Sequence, residues 1–287
     1  MVLVSTLCAL AAMTAFGVAA VLQAVATARA DDVGVLDPRL LLRLLRQPLF
    51  VAALGLNLVG FGLHVAALQA LPLFLVQAVI AGAVAVTALL SVRVFGRRLT
   101  GQEWGAVGLI VVALVLLARS ADDEHAAVSS GRAVALLAAG VLLIALLATG
   151  ARRVPGPAGA VLLGLLAGSG FGVVAICARL LPELGPALLT APVAYVLAVA
   201  GTVAFVVYSG AMQRGSATTA TAAMVVTQTV VPAVAGLLLG DRVRPGSAPF
   251  AAAGFVLALL GAVGLGRYEG AMLETAEITE RATEGAA

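Results

Sequence analysis

The longest uncharged stretch of this chain decides the solvent it folds in. Between Arg46 and Arg93 stand 46 residues with no acid and no arginine, and His64 is the only one that readily becomes cationic. As one helix they would reach ~69 Å at 1.5 Å per residue, about two hydrocarbon thicknesses of a bilayer. The stretch predicts two crossings, broken at Gln69 to Pro72. The same length criterion predicts further spans at Val2 to Ala28, Trp104 to Ala118 (lengthened by Gly101 and Gln102), Ala133 to Ala151, Val154 to Ala178, Leu184 to Gln213, Gly215 to Gly240 and Pro245 to Gly266. That makes nine. A composition 62% hydrophobic and 11% charged agrees, since a water-soluble domain of this size does not need so much apolar surface for its core. The expected class is an all-α integral membrane protein.

The N-terminus offers a competing reading, because Ala28-Arg29-Ala30 before Asp31-Asp32 resembles a leader cleavage site. No basic residue precedes the apolar run, however, and Thr14-Ala15-Phe16-Gly17-Val18-Ala19-Ala20 is matched 155 positions on by Ser169-Gly170-Phe171-Gly172-Val173-Val174-Ala175. A retained first helix is expected. A longer match joins Ala67-Leu68-Gln69 … Gly96-Arg97-Arg98-Leu99 to Ala211-Met212-Gln213 … Gly240-Asp241-Arg242-Val243, 144 positions on. With five crossings between the copies the second lies inverted, an arrangement common in secondary transporters. Residues 1–118 (helices 1–4) form the expected first membrane repeat, 119–153 a loop and linking helix 5, 154–266 (helices 6–9) the second, inverted repeat, and 267–287 an acidic tail. The offset falls from 155 to 144 because the loop from Arg29 to Gln47 is longer than its counterpart around Pro182 to Gly185.

Nine helices put 12 of the 17 basic residues on one side, among them Arg39, Arg43, Arg46, Arg97 and Arg267, and 5 on the other: Arg119, Arg132, Arg179, Arg242 and Arg244. The positive-inside rule then predicts an external N-terminus and a cytoplasmic C-terminus. All the basic residues are arginine, and alanine and glycine abound, a bias expected of a GC-rich bacterium and so of a bacterial plasma membrane. Arg39, Arg43 and Arg46 read either as a short interfacial helix or as the basic start of helix two. Arg179 is expected to snorkel, or to attract an anionic solute.

Two segments, Gly60-Phe61-Gly62-Leu63-His64-Val65-Ala66-Ala67-Leu68-Gln69-Ala70-Leu71-Pro72 and Val231-Pro232-Ala233-Val234-Ala235-Gly236-Leu237-Leu238-Leu239-Gly240-Asp241-Arg242-Val243, resemble the drug/metabolite transporter (DMT) superfamily in its EamA-like and NIPA-like branches. There the second segment commonly ends in Gly-Glu-Arg-Leu. The resemblance runs from helix one through Gly266 and implies an alternating-access carrier with inverted halves. In this chain Asp241 replaces the usual Glu, and Arg97 stands where a first-half acid would be. The NIPA-like branch also implies magnesium or another divalent cation as an alternative cargo. Magnesium takes oxygen ligands, usually one or two carboxylates, and none of the 14 acids is expected inside a span.

The candidate substrate pathway consists of Asn57, His64, Gln77, Tyr208, Thr221 and Gln228. Asn57, Gly60 and His64 fall on one helical face. Thr221 and Gln228 repeat that seven-residue spacing on helix eight, beside Thr227 and Thr229. The 144-residue offset pairs His64 with Tyr208 and Gln77 with Thr221. Polar side chains in lipid turn to protein or water, so paired faces suggest a common cavity; interhelical hydrogen bonding is the alternative. An ionisable side chain inside a span, His64, is a functional candidate by default. Gly164, Gly168, Gly170 and Gly172 read as helix-packing positions, and Cys8 and Cys177 as packing residues. Sequence reading finds no zinc-ligand spacing, phosphate loop or nucleophile–base pair, so no enzyme, cofactor, metal site or nucleic-acid partner is expected. The expected partners are the bilayer and a small-molecule solute with proton or cation coupling, and a homodimer is compatible with the pattern. A non-transporting subunit of a larger assembly is the remaining alternative.

Overall fold

The computed structural model describes residues 2–28, 46–94, 98–120, 130–182, 186–212 and 217–265. Arg39, Arg43, Arg97, Arg214 and the acidic tail lie outside them. Among the described residues there is no β-strand, and nine helices are long and apolar enough to cross a membrane. We number them α1 (Val2–Ala28), α2 (Pro48–Leu68), α3 (Leu73–Val94), α4 (Gly101–Ser120), α5 (Gly131–Ala151), α6 (Gly156–Arg179), α7 (Pro192–Met212), α8 (Ala217–Leu238) and α9 (Ala248–Leu265). The expected break at Gln69 to Pro72 is the α2–α3 turn. The chain is therefore a multi-pass membrane protein.

Local chemistry moves several boundaries from their expected places. Helix α4 starts at Gly101, as the lengthening by Gly101 and Gln102 implies, because Thr100 and Glu103 form a capping box. The Thr100 N–H donates to Glu103 Oε2 at 2.7 Å, the Thr100 hydroxyl donates to the same oxygen at 2.9 Å, and the Glu103 N–H donates to Thr100 Oγ1 at 3.3 Å. Glu103 thus lies fully buried in the first turn of a span, contrary to the expectation that every acid sits outside one. Helix α5 starts at Gly131 because Ser130 caps it, accepting the Ala133 N–H at 3.2 Å. The span expected from Leu184 splits into a short 3-10 turn, Pro186–Leu189, and α7, which begins at Pro192, since proline is tolerated in the first turn of a helix.

Small residues set the packing. Gly164, Gly168 and Gly172 form a stripe on α6 against α8: a Cβ at each would lie 2.6 Å from Ala220 O, 2.1 Å from Thr227 Oγ1 and 3.0 Å from Pro232 Cδ. Gly170 faces Ala204 of α7, where its Cβ would stand 2.9 Å from the alanine Cβ. These glycines are the packing positions the sequence suggested, because backbones that approach this closely leave no room for a side chain. The first half has the same crossing. A Cβ at Gly17 of α1 would meet Val86 of α3 at 2.6 Å, and the Thr87 hydroxyl donates to Gly17 O at 3.3 Å. Helix α1 packs on α2 and α3 as α6 packs on α7 and α8. The two groups meet where α3 lies along α8 and where Gly254 and Gly261 of α9 fit against Leu117 and Ile110 of α4.

Candidate functional site

The α2–α3 turn presents two helix ends at once: the last carbonyls of α2 and the first amides of α3, each lacking an intrahelical partner. Two side chains from the other half of the chain fill them. Arg179, the last residue of α6, donates from Nη1 to Leu68 O and to Leu71 O, and from Nη2 to Asp241 Oδ1 at 3.0 Å. Asp241 accepts the Leu73 N–H on Oδ2 at 2.5 Å. The cation therefore sits on the carbonyl end of α2 and the carboxylate on the amide end of α3, so each charge meets the complementary end of a helix dipole. Both side chains are 3% exposed.

This node corrects the expectation for Arg179, which neither snorkels nor stands free at a mouth. A guanidinium is retained at this depth because its fork satisfies three acceptors simultaneously. Asp241 reaches its place through the end of α8. Gly240 adopts a positive φ of 103°, the Asp241 N–H returns to Gly236 O at 2.8 Å and the Gly240 N–H to Leu237 O at 3.4 Å, the bond pattern of a Schellman cap. Gly236 is glycine for space: a Cβ there would lie 2.4 Å from Asp241 Oδ2 and 2.8 Å from Leu73 Cβ. Close by, the Arg244 N–H donates to Ser120 O at 2.9 Å. The ends of α2, α4, α6 and α8 and the starts of α3 and α9 thus gather at one end of the bundle, called the node end below.

The predicted pathway residues divide around this node. His64 and Gln77 are both buried, and His64 Nδ1 and Gln77 Nε2 are the buried side-chain atoms without a hydrogen-bond partner among the described residues. Each lies four residues from a backbone atom that the node holds, His64 before Leu68 and Gln77 after Leu73, or about 6 Å along its helix at 1.5 Å per residue. The His64 ring stacks on Phe61, with centroids 6.3 Å apart. An unmade hydrogen bond costs about 1–3 kcal/mol per buried group, so two orphans on consecutive helices are an anomaly that packing alone does not explain. Gly60, on the same face of α2 as His64, packs against α1, since a Cβ there would stand 3.2 Å from Ala15 Cβ.

Tyr208 and Thr221 behave differently from the residues they were paired with. Their hydroxyls bond each other at 2.6 Å across α7 and α8, away from the node end. Asn57 and Gln228 are half-buried and make no side-chain hydrogen bond among the described residues. Thr227 serves as interhelical glue, donating to Leu165 O of α6 at 2.9 Å, and Thr229 bonds its own helix at Val225 O, 2.8 Å away. A cavity of about 330 Å³ is lined by Gln69, Arg179, Leu181, Pro182 and the start of α7.

Sequence reasoning placed Arg179 at the end of a helix facing the interface and Asp241 just beyond a span, and so missed their union. The one available signal was that each stands beside the end of an apolar run within the half opposite the α2–α3 turn. Among the described residues no group of three or more histidines, cysteines or acids is close enough to hold a metal ion. Comparison of the chain with protein-family models, curated proteins and solved structures returned no match.

Proposed function

We propose that this chain is a secondary transporter, moving a small organic metabolite or drug-like solute across a bacterial plasma membrane by alternating access between two inverted halves. The observation that carries the reading is the pair of buried, unpartnered polar atoms on His64 and Gln77 in a bundle where other polar side chains are paired across helices. Groups left unsatisfied in an apolar interior are costly unless a ligand or water meets them in another state.

The internal repeat supports the reading. Val86 plus 144 is 230, one residue from Val231, which Gly172 meets as Gly17 meets Val86. The same small-residue crossing thus recurs in both halves. The amide end of α3 meets the carboxyl end of α8 through Leu73 and Asp241, so two helices related by sequence run in opposite senses. Inverted halves with polar groups on the helices between them are the usual architecture of an alternating-access carrier. The resemblance to DMT carriers agrees, and the positive-inside rule would put the arginine-poor node end outside and the C-terminus inside.

Purified protein in liposomes tests this directly by counterflow with a panel of neutral, cationic and anionic organic solutes, with magnesium as a separate arm. Saturable exchange of an organic solute is the expected result. Magnesium flux alone would replace the organic cargo with a divalent cation. Absence of any flux, with a protein partner retained through purification, would replace the carrier with a membrane subunit.

A further inference from the structure

We infer that the Arg179–Asp241 pair is a one-sided gate, which closes the bundle over His64 and Gln77 at the node end and admits solute from that end only when Asp241 releases Arg179 and Leu73. The inference rests on the transporter reading and adds to it where the pathway is shut and by what.

Three observations carry it. First, three of the node's four bonds cross between halves: Arg179 of α6 donates to Leu68 O and Leu71 O of the α2–α3 turn, and the Leu73 N–H donates to Asp241 at the end of α8, while the fourth, Arg179 to Asp241, ties the two gate side chains to each other. An interface held by a few directed bonds has two discrete arrangements, made and broken, rather than a continuum. Second, the repeat supplies no counterpart of the pair in sequence. The offset of 155 carries Arg179 to Ala24 and the offset of 144 carries Asp241 to Arg97, a methyl group and a second cation that cannot reproduce the pair. The device therefore distinguishes the two ends of a bundle whose packing is otherwise repeated.

Third, the groups beneath the pair are incomplete and the groups at the opposite end are not. Tyr208 and Thr221 bond each other at 2.6 Å, whereas their repeat partners His64 and Gln77 each keep an orphaned atom one helical turn from the node. A cavity of about 330 Å³ has Arg179 in its lining, so open space lies against one of the two gate residues. Opening would let water or solute reach two groups that lack partners when the gate is shut. Gate bonds and pathway hydration oppose each other, which is the condition for a two-state element that a ligand can bias.

The test needs no known solute. A reporter cysteine is placed at position 64 (H64C) in protein carrying C8S and C177A, reconstituted in nanodiscs, and its reaction rate with a charged methanethiosulfonate is measured with and without Asp241→Asn. A second reporter, Q77C, repeats the measurement. Asn keeps an oxygen for Leu73 but loses the charge that holds Arg179, so the rate should rise by about tenfold or more as the open population grows. Arg179→Lys, which keeps the charge but not the three-acceptor fork, should act in the same direction. Unchanged rates at both reporters in monodisperse, folded variants overturn the gate. If neither variant folds, the pair is a folding element and the proposal is likewise overturned. Faster labelling in a protein that moves no solute would keep the gate and sink the transporter. Solute flux with labelling indifferent to Asp241 would do the reverse.

Discussion

Removing one partner of the node should cost far more than the pair itself is worth. With 3.0 Å between Arg179 Nη2 and Asp241 Oδ1 and both side chains 3% exposed, Arg179→Met leaves a carboxylate, and Asp241→Leu a guanidinium, with no counter-charge in a nearly dry site. Breaking a buried pair in this way costs about 3–5 kcal/mol. The double variant strands neither charge. It still leaves Leu68 O, Leu71 O and the Leu73 N–H without their partners, so it does not return to the parent. Coupling within one bonded network spans about 0.5–3 kcal/mol, and full burial puts this pair near the top. The double variant should therefore cost about 2–3 kcal/mol less than the sum of the single ones. Unfolding in mixed micelles, followed by the fluorescence of the protein's single tryptophan, Trp104, measures all four corners. Single costs that add within about 0.5 kcal/mol would refute the claim that the two charges share one desolvated site.

The parts of the fold that depend on length and hydropathy were readable before any coordinates. Nine apolar runs gave nine helices among the described residues because a membrane span leaves the backbone no option but to bond within itself, and the glycines of α6 packed as close-contact positions. The ends were less readable. Glu103 entered a span because Thr100 three residues earlier completes a capping box, a local motif that a charge-free window excludes by construction. Arg179 and Asp241 were read as separate residues at helix ends because a single helix end gives no hint of which distant chain will cap it. Their union depends on a contact 62 residues apart and on a second one 168 residues apart. Of the pathway residues, the sequence set His64 apart as ionisable but could not tell Gln77 from Tyr208 and Thr221, since all three are neutral polar positions in spans. The difference lies in which partner each side chain finds after the helices pack.

Cysteine labelling of intact cells should find the loop containing Arg97 on the cytoplasmic face and the loop containing Arg242 outside; labelling from one face alone would end the inverted-repeat reading. Gly236→Ala should destabilise the node by crowding, because its methyl would meet Asp241 Oδ2, and overpacking costs about 1–3 kcal/mol; an unchanged melting temperature would show that the node does not depend on this close approach. Cysteines at Asn57 and Gln228, half-buried and unbonded, should react with water-soluble thiol reagents while one at the lipid-facing Leu58, 72% exposed, should not; equal reactivity at all three removes the wet face. Gln77→Leu separates a pathway role from a packing role, because the two predict opposite signs. The Gln77 amide nitrogen is buried with no partner, so an apolar side chain of similar volume removes an unmade bond and should be neutral or stabilising by up to about 1–3 kcal/mol. Transport should fall nonetheless, since a residue held in an unfavourable state for the sake of a ligand loses that ligand when relieved of the strain. Thermal unfolding and liposome flux on the same preparation read both quantities. A variant less stable than the parent would mean that Gln77 has a partner in the resting protein, and one with normal stability and normal flux would return Gln77 to the packing of α3.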